Sequence, residues 1–116
     1  MEYITLIELT KKLIEYNDET IIKKRESEEC EIDFNQDIKP FVSVVDQNLK
    51  EWKELALEWL QHTKPKYIHV QQIEQVCTNL QNNSLQCFAR KMNGKRFFET
   101  HQAIHYTLQN ILEQCK

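Results

Sequence analysis

Glycine and proline are almost missing from this chain, which has one glycine and two prolines among its 116 residues. That scarcity excludes whole designs. Phosphate cradles, nucleophile elbows and dinucleotide loops bring backbone close to a ligand through glycines at fixed offsets, and Gly94 alone cannot build them. No apolar run is long enough to span a bilayer, and the first residues carry neither a signal-type segment nor an arginine-rich leader, so the cytoplasm is the expected compartment. The four cysteines (Cys30, Cys77, Cys87 and Cys115) include no CxxC or other tight pair. This excludes a zinc ribbon or a disulfide scaffold and leaves reduced thiols as small apolar fillers. A net charge of −3 lacks the positive excess of a dedicated nucleic-acid or anionic-membrane binder.

What is present is helical period. Hydrophobic residues make up 41% and charged residues 28%, the composition of one globular domain spanning residues 1–116. Pro40, Pro65 and Gly94 fall at seams between four stretches of amphipathic pattern, and no strand-like alternation occurs. The spacing predicts helices over about 2–25, 41–62, 69–92 and 95–115, with a long acidic loop over 26–40. In the first helix Ile7, Ile14 and Ile21 repeat in heptads, widened by Tyr3, Leu6, Leu13 and Tyr16. The second buries Val45, Leu49, Trp52, Ala56 and Trp59, with Asp46 a candidate cap. The third carries Ile73, Val76, Leu80, Ser84 and Cys87 inward and the fourth Phe97, His101, Ile104, Leu108, Ile111 and Cys115. The short joint between the last two helices makes them antiparallel neighbours, and the fold class is all-α, an up-and-down four-helix bundle.

That topology decides which candidate sites share an end. The acidic stretch 26–33 lies beside the cations Arg90, Lys91, Lys95 and Arg96, where it neutralises them or covers a site for phosphate or a partner. Pro65-Lys66-Tyr67-Ile68-His69 lies at the other end, as a helix stop and entry turn or as a binding spot formed by Lys66, Tyr67 and His69. His101 and His105 stand four apart on one helix, the spacing that presents two imidazoles to one ion, and Cys87 comes level with His101, with Asp46 and Glu19 at a similar height. The paired Glu-x-x-His motifs of di-iron bundles are missing, so core packing of His101 is the expectation and neither a metal nor a cofactor is expected. Nothing resembling an oxyanion site accompanies Cys87 and His101, so an enzyme is not expected.

Lys39-Pro40, the block Pro65-Lys66-Tyr67-Ile68-His69 with Gln72-Ile73-Glu74, and Lys95-Arg96-Phe97 with Tyr106-Thr107-Leu108 resemble the YppE-like family. These are small cytoplasmic proteins of Bacillus-type bacteria grouped as a domain of unknown function. The resemblance runs from about Asp33 to the end, matches the first helix mainly in pattern, and implies a compact helical bundle with no activity, cofactor or catalytic residue attached.

The function expected is non-catalytic: a binding or adaptor module that meets a protein partner, or a second copy of itself, through a polar helix face. The amide-rich face of the third helix and the joint around Arg96 are the expected places. The alternative is a metal- or small-ligand-binding bundle using His101, His105 and Cys87. A weaker one is nucleic-acid or phosphate contact through Arg90, Lys91, Lys95 and Arg96, which predicts steeply salt-dependent binding.

Overall fold

The computed structural model describes residues 3–27, 33–89 and 94–115. Four helices account for nearly all of them: α1 (Ile4–Ser27), α2 (Lys39–Thr63), α3 (Val70–Gln86) and α4 (Gly94–Cys115). They run up and down around one core, each packed on its sequence neighbour, with α1 closing the ring against α4 and also reaching α3 across the diagonal. The result is an elongated four-helix bundle of 46 × 26 × 19 Å. None of the described helices is long and apolar enough to cross a membrane.

The inward stripes of α2 and α3 are those their period dictates. Val45, Leu49, Trp52, Ala56 and Trp59 meet Ile73, Val76, Leu80 and Cys87 in the core, closed from α4 by Phe97, Ile104, Leu108 and Ile111. Helix α1 is rotated from the expected setting. Its buried positions are Leu6, Leu9, Thr10, Leu13, Asn17, Thr20, Lys24 and Ser27, while Ile14 and Ile21 are half-buried flanks. The polar members can be buried because the backbone or a neighbour satisfies them. The Thr10 hydroxyl donates to the Leu6 carbonyl (2.7 Å) and accepts from the Trp52 indole Nε1 (3.0 Å). Thr20 and Ser27 donate to carbonyls one turn back.

Two asparagines grip α4 on successive turns. Asn17 Nδ2 donates to the His101 carbonyl at 3.0 Å, and Asn83 Nδ2 donates to the Phe97 carbonyl at 3.4 Å. At the opposite end from the termini, Lys24 is buried and its ammonium donates to the Ala89 carbonyl (2.9 Å), tying α1 to the chain leaving α3. Lys23 lies 4.8 Å from the centroid of Phe41 and 5.9 Å from that of Phe88. A cation over two ring faces is held by their quadrupoles, so the basic end of α1 packs rather than merely complementing a dipole.

Three boundaries differ from the sequence expectation. Helix α1 continues to Ser27, and part of the expected loop is a π-helical turn, Phe34–Ile38, running straight into α2. Asp33 starts that turn: its Oδ1 accepts from the backbone N–H of Asn35 (2.8 Å) and Gln36 (3.0 Å), while Asp37 Oδ2 accepts from the N–H of Asp33 (3.0 Å). Asp33 thus caps the π-helical turn, whereas α2 starts after Ile38 with no side-chain cap; Asp46, the expected cap, lies inside α2, and Pro40 sits in the first turn, where a missing N–H costs nothing. Helix α3 ends at Gln86, not near Met92, tightening into i→i+3 bonds from Phe88 N–H to Leu85 (3.3 Å) and Ala89 N–H to Gln86 (2.9 Å). Ile38 packs against the core. Ile32, most of the acidic stretch after Ser27, and Arg90, Lys91 and Met92 lie outside the described residues.

Candidate functional site

The α2–α3 turn is built from backbone that few residues tolerate. Lys64 closes α2 in the left-handed region (φ 45°), its N–H donating to the Leu60 carbonyl, although the following Pro65 disfavours that conformation. Tyr67 is also left-handed (φ 67°), and its side chain is 84% exposed. The turn is held from three sides. Ile68 is buried; the Lys66 carbonyl accepts from Gln114 Nε2 at the end of α4 (3.1 Å); and His69 caps α3, its N–H donating to Gln72 Oε1 (2.7 Å) in a reciprocal capping box. The fold thus fixes a strained tyrosine with its ring in solvent. Lys66 and His69 are exposed beside it, as is Val70.

The cations expected at the other end are only partly visible. Lys95 and Arg96 are exposed on the first turn of α4, far from Lys66, Tyr67 and His69, while Arg90 and Lys91 lie outside the described residues. The amide-rich face of α3 bears an open depression bordered by Gln71, Gln72, Glu74, Gln75, Thr78 and Asn79.

A second feature lies along α4. His101 and His105 are brought together, their rings stacked at 6.4 Å and 13°. His101 Nε2 is 3.0 Å from Asp18 Oδ1 of α1; the histidine side chain is 18% exposed and the aspartate 58%. These residues head an open groove of about 560 Å³ that continues past Gln102, Tyr106, Gln109 and Asn110 to Glu113. Tyr106 is 68% exposed within it. Asp18 is not a carboxylate that the sequence pattern singles out: the period of α1 and α2 puts Glu19 and Asp46 at the height of His101, and neither lines this groove.

Cys87 does not join the histidines. It is fully buried, its thiol donates to the Ser84 carbonyl (3.3 Å), and it does not line the groove. Burial pushes its pKa up to about 12, outweighing the nearby ammonium groups of Lys23 and Lys24 that lower it. Burial likewise raises Cys77 and Cys115 to about 11. All three thiols stay protonated at neutral pH, so none is poised as a nucleophile or thiolate ligand. Among the described residues no three His, Cys, Asp or Glu side chains are grouped closely enough to hold a metal ion.

Comparison with known proteins places the chain. The profile described as a bacterial domain of unknown function, DUF1798, matches residues 10–115. The chain belongs to the DUF1798 family. The uncharacterized protein YppE of Bacillus subtilis (strain 168) is 32% identical over 112 residues, covering 95% of this chain and 91% of the relative. The crystal structure of YppE superposes with a TM-score of 0.90 at 32% identity, over 97% of this chain and 94% of that one. A Listeria innocua protein of unknown function, solved at 1.74 Å, also reaches 0.90 at 28% identity, over 95% and 90% of the two chains. Both relatives thus share this bundle over nine-tenths or more of their length.

Proposed function

We propose that the protein is a non-catalytic protein-binding module whose contact surface centres on the α2–α3 turn. The observation that carries this reading is Tyr67: an aromatic side chain 84% exposed on left-handed backbone. Such backbone costs about 1–3 kcal/mol and persists only where surrounding structure enforces it, which is the pattern of residues kept for contact rather than stability. Tyrosine also gives much contact area for little side-chain entropy, which is why it recurs among interface anchors. Lys66, His69 and Val70 supply a polar and apolar rim. The burial of Cys87 outside the groove that His101 lines, with its thiol pKa raised, supports the non-catalytic half of the reading.

A photo-crosslinking aromatic residue placed at position 67, with the protein expressed in its native cytoplasm, should trap a discrete partner. The same residue at position 58, on the outer face of α2, should not. Excess unlabelled wild-type protein should suppress that capture, and the Tyr67→Gly protein, folded at least as stably, should not. Equal labelling from positions 67 and 58, or none from either, would count against the reading.

A further inference from the structure

The groove along α4 has a chemistry of its own, independent of the Tyr67 reading. Among the described residues its lining carries two carboxylates, Asp18 at one end and Glu113 at the other, and no lysine or arginine. Between them stand Tyr106 and the carboxamides of Gln102, Gln109 and Asn110. The Asp18 carboxylate touches His101 through one oxygen and is 58% exposed, leaving lone pairs open to a further donor. An anionic ligand would meet two like charges here and, among the described residues, no lysine or arginine to offset them.

We infer that this groove binds an extended, basic peptide segment of another protein, with one lysine or arginine at each carboxylate. Charge decides the sign of the ligand, and the carboxamides decide its form. Each offers both a donor and an acceptor, the pair that the open backbone of an extended chain requires. A helix has already satisfied its own backbone and would seek apolar ridges instead. Spacing follows from helix geometry. Twelve residues separate His101 from Glu113, about 18 Å at ~1.5 Å per residue. An extended chain covers that in about five to six residues at ~3.3 Å each. Tyr106, midway, presents a ring over which an intervening aliphatic stem or a cation can lie.

The test is an amide NMR titration of the intact protein with synthetic peptides. One carries arginines six positions apart in a serine–threonine background, a second has them adjacent, and a third replaces them with glutamate. The spaced peptide should shift resonances of residues 101–113, with affinity that falls as salt rises. Glu113→Gln should weaken it by about two- to fivefold, the effect of losing one exposed ion pair. Asp18→Asn should act similarly, and its fold is checked by the undisturbed shifts of α2. Equal affinity for the adjacent or acidic peptide overturns the inference, as does a spaced-peptide affinity indifferent to Glu113→Gln. Spermidine binding as tightly as the spaced peptide would reduce the site to charge alone and overturn the extended-segment assignment. A dimer in light scattering that Asp18→Asn dissolves would give the groove to a second copy and likewise overturn it. None of these outcomes bears on crosslinking from position 67.

Discussion

Single positions show a mismatch between residue type and backbone. The one glycine, Gly94, opens α4 without positive φ, and a Cβ there would meet only Phe98 Cε2, at 3.9 Å. The left-handed positions are held by Lys64 and Tyr67. Both halves of that mismatch can be corrected. Gly94→Ala should stabilise the protein by about 0.5 kcal/mol through the unfolded chain, and Lys64→Gly by about 1 kcal/mol by removing the Cβ clash at the end of α2; urea midpoints measure both. The Thr10–Trp52 bond predicts the opposite sign. Thr10→Val keeps the shape but leaves a buried indole N–H without an acceptor, which should cost about 1–3 kcal/mol in the same assay.

At the level of elements, legibility varied with how much a helix relies on apolar residues. Helices α2 and α3 declared their buried faces because Val45, Leu49, Trp52 and Trp59, or Ile73, Val76 and Leu80, fill them without interruption. The inner face of α1 is half polar, and hydrophobic periodicity has no term for a threonine satisfied by its own helix or a lysine satisfied by Ala89. The same blindness hid Asp18, whose position follows from the rotation of α1, and the groove it heads. The end of α3 escapes the period for a related reason: Cys87 N–H still makes an i→i−4 bond, to the Asn83 carbonyl, and only the tighter bonds of Phe88 and Ala89 and the Lys24 tie show where the helix stops. Cys87 at that end also makes stability depend on pH. Its folded pKa of about 12 lies above the ordinary value of 9.0, so the stabilisation it represents is complete below about pH 9 and is lost as pH rises towards 12, because the unfolded thiol releases its proton first. Urea midpoints should therefore fall more steeply between pH 9 and 10.5 in the wild type than in Cys87→Ala.

Taken whole, the molecule is an elongated rod whose two candidate surfaces adjoin. The groove runs along α4 towards Glu113, and the next residue, Gln114, holds the turn that presents Tyr67 through the Lys66 carbonyl. Gln114→Ala should therefore loosen the turn without touching the core, seen as faster amide exchange at residues 66–69 with an unchanged urea midpoint. The overall architecture was legible from the placement of Pro65 and Gly94 and the period between them; the adjacency of the surfaces was not, because it depends on one long-range side-chain bond. The burial of Cys87 has a kinetic consequence as well. A thiol that is protonated and walled off cannot meet an alkylating reagent in the closed molecule, so its rate of modification counts the moments when the bundle opens. Peptide-resolved alkylation at Cys87 thus makes the chain its own clock. A rate matching the global unfolding free energy means that the Lys24-tied end opens only with everything else, and a faster one means that this end frays first.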